Sequence, residues 1–380
     1  MRIIKNIVPL CIIILLTTTF CKKEPVINPV LKADTTYNIK GLYVLNQGLM
    51  DYNNSTLTYL SFTDTMAITD YFNMQNGVKL GDTGNDMAIY GNKMYIVVEV
   101  SSQVDVVNPF NGKIIKQIPF LNGVQPRVPQ NITFSGSRAF VCSFDGTVAV
   151  IDTATLTIIK YITVGSNPDG IAVANNKVYV SNSGGLNFPN YDSTISVIDI
   201  PTLTVIKQIT VRINPSTIVP DAYGDLYVIS IGNYSNINMC LQIIDSQTDE
   251  LKYTFPGLQA LNLTISGDTA YVYYYDYNTS SGSQIMLVNV KNETVISNNF
   301  ITDGTVINTI YGITVDKQSN NVYVCDARGF VNTGDVVCFN KQGQKKYSFK
   351  AGLNPSKIAF LSETNITAVS SKYIIKTLKQ

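Results

Sequence analysis

The chain has 380 residues, 45% of them hydrophobic and only 14% charged, with a formal net charge of +1. A near-neutral chain without basic runs has no field to attract nucleic acid. The absence of His and Trp removes Ser-His-Asp and Cys-His catalysis, His-ligated zinc, the usual near-neutral general base and the best stacking surface for sugars and cations.

Residues 1–20 combine a basic start, Arg2 and Lys5, with an apolar run from Ile7 to Leu16. That run suits a signal-peptide core and is too short to span a bilayer. With Cys21 it resembles a bacterial lipoprotein leader, although Phe20 departs from the usual small residue before the Cys. The resemblance implies a diacylated Cys21 thiol and an acylated new amino group. At ~0.8 kcal/mol per buried methylene, such an anchor holds essentially permanently. Residues 21–40 then read as a flexible, Pro-punctuated tether. Their Cys21-Lys22-Lys23-Glu24 start is similar to Bacteroidota lipoproteins, which implies an outer-membrane protein displayed at the cell surface.

From residue 41 to 380 one short pattern returns. It reads Leu42-Tyr43-Val44, Met94-Tyr95-Ile96, Ala139-Phe140-Val141, Val178-Tyr179-Val180, Leu226-Tyr227-Val228, Ala270-Tyr271-Val272 and Val322-Tyr323-Val324. The central aromatics lie 52, 45, 39, 48, 44 and 52 residues apart. A period of about 40–50 residues with several strands per unit predicts an all-β β-propeller. In the unit Pro168 to Val211, Asn167-Pro168-Asp169-Gly170 reads as a turn and Ile171-Ala172-Val173 as the innermost strand. Lys177 to Ser181 follows as the second strand, apolar on both faces because each blade is sandwiched between two others.

Third-strand segments such as Val148 to Asp152, Ile195 to Asp199 and Leu241 to Asp245 each end in Asp. A short acceptor capping the next hairpin turn explains that series better than metal or acid–base chemistry. The first unit, from Leu42, lacks an innermost strand, and Lys357 to Leu361 is an innermost strand without its unit. Joining the two closes a ring of seven four-stranded blades by pairing the N- and C-terminal segments. Counting Ile366 to Val369 and Tyr373 to Leu378 as strands would give a partial eighth blade.

Of six Cys, Cys11 lies in the leader and Cys21 takes lipid. Cys325 and Cys338 lie on successive strands and pair only if register allows, but small buried hydrophobes are the simpler reading for all four remaining Cys. No CxxC or metal-ligand spacing exists.

The Val164 to Pro168, Ile213 to Ser216 and Leu353 to Ser356 turns, with the Tyr-Val pairs, resemble the YVTN-type (YncE-like) propeller repeat family over residues 41–361. That family specifies fold well and function poorly. Loops joining strand two to three and loops between blades emerge on one face, where ligands are expected. The long loops there offer the candidates Tyr52, Asn187, Phe188, Tyr191, Tyr234, Tyr275, Tyr277, Phe330 and Arg127. Aromatic faces beside Asn, Gln and Ser suit a neutral, flat, polar ligand.

Leu42 to Gly48, Gly81 to Asp86 and Asn182 to Asp192 are similar to segments of Bacteroidota surface propellers, a group that includes vitamin-B12-capturing partners of TonB-dependent transporters. That resemblance implies corrinoid capture without chemistry and without a cofactor. A glycan- or protein-binding adhesion module uses the same face. An enzyme is disfavoured: the innermost strands, read as Met87-Ala88-Ile89 and its equivalents, offer no carboxylate cluster for a lactonase. Quinoprotein propellers usually need Trp.

Overall fold

The computed structural model describes residues 33–64, 66–275 and 283–368; the leader, Cys21, Tyr277 and the last strand segment read from the sequence lie outside them. The residues divide into two units, one of them Asn38–Glu363. This unit carries the blades; of the other, the described residues 33–37 and 364–368 are extended strand.

Six blades are four-stranded antiparallel sheets in simple meander order. Their innermost strands are Gly84–Tyr90, Pro129–Ser135, Pro168–Ala174, Pro215–Pro220, Asn262–Ser266 and Ile310–Val315, which define blades one to six. The seventh joins the two ends of the chain: Pro355–Ala368 lies innermost, then Ala33–Asn46, then Thr56–Ser61. A single bridge between Tyr59 and Ile68 stands in for its fourth strand. Seven blades are closed as the sequence predicts, and the closure pairs the strand edges that the two terminal segments would otherwise leave open.

The core is not central but lies in seven seams, one between each pair of neighbouring blades. That is why second strands are buried on both faces, as in Asp225–Ser230, whereas the outermost Thr204–Thr210 is mostly exposed. The repeated aromatic fills these seams, and Tyr is preferred to Phe because its hydroxyl reaches the next blade. Tyr43 donates to the Pro109 carbonyl at 2.6 Å, Tyr179 to Ser246 at 3.0 Å and Tyr227 to Val290 at 3.1 Å. Each acceptor sits in the third-to-fourth-strand turn of the neighbouring blade. Tyr95 has no such acceptor and its hydroxyl is buried without a partner. Tyr179→Phe should therefore cost ~1–3 kcal/mol, since it strands buried acceptors, while Tyr95→Phe should be neutral or stabilising. Denaturant melts of the two variants check this, and equal losses would refute the staple.

The Asp series is structural, as expected. Asp152 accepts from the Ala154 and Thr155 amides, Asp199 from Thr202 and Asp245 from Gln247. Cys142, Cys240, Cys325 and Cys338 are buried free thiols. Cys325 faces Val336 while Cys338 faces Tyr323, a register that offsets the pair by two residues.

Candidate functional site

Strand two of each blade ends beside the loop that leads into strand one. Backbone bonds mark the junction in most blades: Glu99 donates to Thr83, Phe144 to Val128, Ser183 to Asn167 and Ile231 to Asn214. Asn167, Asn214 and Asn354 all take a left-handed conformation, with φ of 43°, 58° and 55°. Asn tolerates that angle, which accounts for the repeated Asn-Pro turn. Pro then opens the innermost strand, where its missing donor costs least.

The strands begin one to three residues earlier than the sequence reading placed them, and this changes the channel. At their entry lies a cavity of about 420 Å³ to which every blade contributes. One arc is polar, formed by Gln47, Asn85, Asp86, Asn131, Asp169 and Lys357. The opposite arc is largely apolar, with Ile218, Ile231, Leu261, Leu263 and Ile310. The innermost strands thus do carry two carboxylates, Asp86 and Asp169. Even so, no group of three or more acidic or Cys side chains among the described residues is placed to hold a metal.

The polar arc is a linked circuit. Tyr311 donates its hydroxyl to Gln47, Gln47 donates to Asn85 at 3.3 Å, and Asn85 to Gln130 at 3.1 Å. Asn131 donates to the Asp169 carbonyl at 3.0 Å, and the Cys142 thiol donates to the same carbonyl at 2.8 Å. Lys357 pairs with Asp86 at 3.4 Å, while Asp86 also accepts the Ile132 amide at 3.0 Å. Close strand approach makes two glycines necessary. A Cβ on Gly170 would lie 1.9 Å from the Ser216 carbonyl oxygen, and one on Gly312 2.0 Å from that of Ser356.

Burial raises four carboxyls, that of Asp225 against the pull of Lys252. Glu99 rises to about 7, opposed by a hydrogen bond with Gln130 and reinforced by Asp169 and Asp82. Asp169 rises to about 6 against the pull of Lys357, and Asp105 to about 6 against Gln117 and Gln103. A carboxyl raised in the fold favours the protonated native state, so stability falls as pH climbs from its unfolded pKa to its folded one. Melting should therefore occur at higher temperature at pH ~5 than at pH ~8. Each tenfold weakening of a carboxyl's acidity on folding contributes ~1.4 kcal/mol at most. Glu99→Gln should flatten the fall between 4.5 and about 7. A midpoint that rises across this range would contradict the assignment.

The sequence candidates fall at different places. Phe188, Tyr191 and Tyr234 form a chain of edge-on rings, with centroids 6.2 and 6.3 Å apart. Tyr234 hydrogen-bonds Asn214, two residues before the cavity-lining Ser216, so the cluster lies near the cavity although none of its three rings lines it. Phe330 packs edge-on against Tyr311 at 5.4 Å, on the opposite side of the mouth. Tyr52 is exposed on a loop whose Asp51 and Asn53 amides are both held by Asp82. Asn187 is exposed and turns its loop, its amide donating to the Gly184 carbonyl. Tyr275 ends the second strand of blade five, opposite Ser283. Arg127 is committed elsewhere: it pairs with Asp145 and lies 3.9 Å over the Tyr161 ring. Asp169 was read as part of a turn because the Asn-Pro signal marks one, and Asp86 and Lys357 were not singled out as site residues, although a polar residue precedes several of the apolar triplets.

The fold and this channel permit comparison with known proteins. The model of DUF5074, a domain of unknown function, matches residues 40–369. The chain belongs to the DUF5074 family. No curated protein matches it. This DUF5074 propeller is similar in fold to a quinoprotein alcohol dehydrogenase-like protein from Bacteroides thetaiotaomicron. The TM-score is 0.63 at 16% identity, over 86% of this chain and 79% of that one. It is also similar to hydrazine synthase of Kuenenia stuttgartiensis, with TM-score 0.60 and 15% identity over 76% and 96% of the two chains. A functionally unknown Desulfotomaculum acetoxidans protein aligns with TM-score 0.61 and 13% identity over 84% and 98%. At these identities the likeness is one of fold alone.

Proposed function

We propose that this propeller is a non-enzymatic binding protein that holds a ligand at the channel mouth. The observation that carries the reading is the cavity of about 420 Å³, within the ordinary size of small-molecule sites, ~300–1,000 Å³. The Phe188, Tyr191 and Tyr234 rings standing near its mouth add stacking surface. A corrinoid is the ligand class to test first. Its wide, largely neutral macrocycle would lie across the mouth, against the aromatic cluster, with amide side chains reaching the polar arc. The resemblance to YVTN-type Bacteroidota propellers supports this assignment. It also supports a lipid-anchored, surface-displayed protein that passes its ligand to a TonB-dependent transporter.

Calorimetric titration with cyanocobalamin tests the reading. Replacing Phe188, Tyr191 and Tyr234 together by Ala should weaken binding by at least about tenfold, as ~1.4 kcal/mol of lost stacking requires. Unchanged affinity in that variant would remove the aromatic cluster from the site.

A second reading has its own observation. Loop tips on this face expose Val124, Leu186, Val306 and Val331 at 70–87%, a broken apolar rim suited to a protein or glycan partner. Small, dispersed losses across many loop variants would favour it.

A further inference from the structure

We propose that the cavity takes a primary ammonium group on Asp169, with the ligand's apolar body lying along the Ile218–Leu263 side. The inference rests on the channel mouth being a binding site and names the chemistry of its inner part.

Three observations meet here. First, the cavity is amphipathic, its polar arc from blades seven, one, two and three and its apolar arc from blades four, five and six. A ligand that fills it needs a polar head and an apolar body, oriented one way. Second, the charges do not balance. Asp86 and Asp169 face one cation, Lys357, whose ammonium is bridged to Asp86 at 3.4 Å. Among the described residues, the Asp169 carboxylate accepts only a long hydrogen bond, from the Asn131 amide at 3.4 Å. Asp169 is enclosed by protein yet still reached by water through the channel. Third, the other polar groups supply acceptors. Asn85, Asn131, Asn262 and Ser216 line the same space, and each carries an oxygen with a lone pair to offer. An NH3 group has three hydrogens to place, which separates it from a quaternary cation that has none.

The groups facing Asp169 are Lys357 from blade seven, Asp86 and Glu99 from blade one, Cys142 from blade two and Tyr234 from blade four. Lys357 is the only cation among them. Since burial raises the Asp169 carboxyl to about 6, about one tenth of it is ionised at pH 5. Ammonium binding should fall about tenfold between pH 8 and pH 5. A neutral ligand shows no such change from this group.

Calorimetry on the full chain with hexylamine, 1-hexanol and hexanoate tests the proposal, since the three share a body and differ in head group. Hexylamine should bind at least about tenfold tighter than hexanol at pH 8. That preference should vanish in Asp169→Asn. Lys357→Met should strengthen hexylamine binding, an opposite effect that a folding defect cannot mimic. Equal affinity for hexylamine and hexanol, preference for hexanoate, or an unaltered preference in folded Asp169→Asn would overturn the proposal. Cyanocobalamin binding without hexylamine binding would overturn it too, while leaving the broader reading of the mouth intact.

Discussion

Ending the chain after Asn354 should abolish cooperative folding, whereas ending it after Glu363 should leave a folded propeller. The nine residues between are the first part of the innermost strand of the seventh blade, Pro355–Ala368. They bury Ile358, Ala359 and Leu361 in the two seams that flank the closure. At ~1.5–3 kcal/mol for each fully buried large aliphatic side chain, Ile358 and Leu361 alone approach half of a typical stability of ~5–15 kcal/mol. The shortened chain also loses the ladder to Ala33–Asn46 and the Lys357–Asp86 pair in the channel. A free edge then faces solvent, with aggregation as the expected fate. Circular dichroism melts of the two truncated chains decide this. A sharp transition in the chain that stops at Asn354 would mean that six blades hold without the closure.

Asn46→Leu should be the most damaging single substitution at the same junction. Asn46 is fully buried where strand two ends. Its amide donates to the Thr56 hydroxyl at 3.0 Å and to Thr58 at 2.9 Å, and its carbonyl oxygen accepts the Gly352 amide at 2.9 Å. That last bond joins residues 306 positions apart. Leu would leave the Gly352 amide buried without a partner. It would also crowd a backbone so close that a Cβ on Gly352 would sit 2.7 Å from Asn46 Cγ. Together these cost ~2–5 kcal/mol. Asn182 repeats the arrangement in blade three, with Gly165 as donor and Thr194 and Ser196 as acceptors. Asn182→Leu should lose a similar amount in urea melts. A loss below ~1 kcal/mol at either position would show that water replaces the network.

The fold was legible because it is written seven times. Each Tyr-Val pair, Asn-Pro turn and third-strand Asp recurs at the same place in a blade, so local signals support one another. Even the closure could be read, from an innermost strand at one end and its missing partner at the other. The aromatic rim was legible too, because long loops between strands two and three stand out against the minimal Phe144-Asp145-Gly146.

The channel was not. Asn-Pro-Asp-Gly reads as a turn, so Asp169 looked like a loop residue, yet Pro168–Ala174 is already strand. Pro as the first strand residue gives no local sign of which side chains then face the axis. The surroundings of Arg127 were equally hidden, because folding brings Asp145 and the Tyr161 ring to it from elsewhere in blade two. Composition and spacing carry no record of such pairings.

The most direct measurement is thermal unfolding of the protein with and without excess cyanocobalamin. A ligand held at the mouth at about 100 times its dissociation constant adds ~2.7 kcal/mol to the native state. The midpoint should then rise by a couple of degrees or more. The rise should be lost when Phe188, Tyr191 and Tyr234 are replaced together by Ala. An unchanged midpoint at millimolar cyanocobalamin would contradict corrinoid capture and leave the apolar rim, with a protein or glycan partner, as the better account of this face.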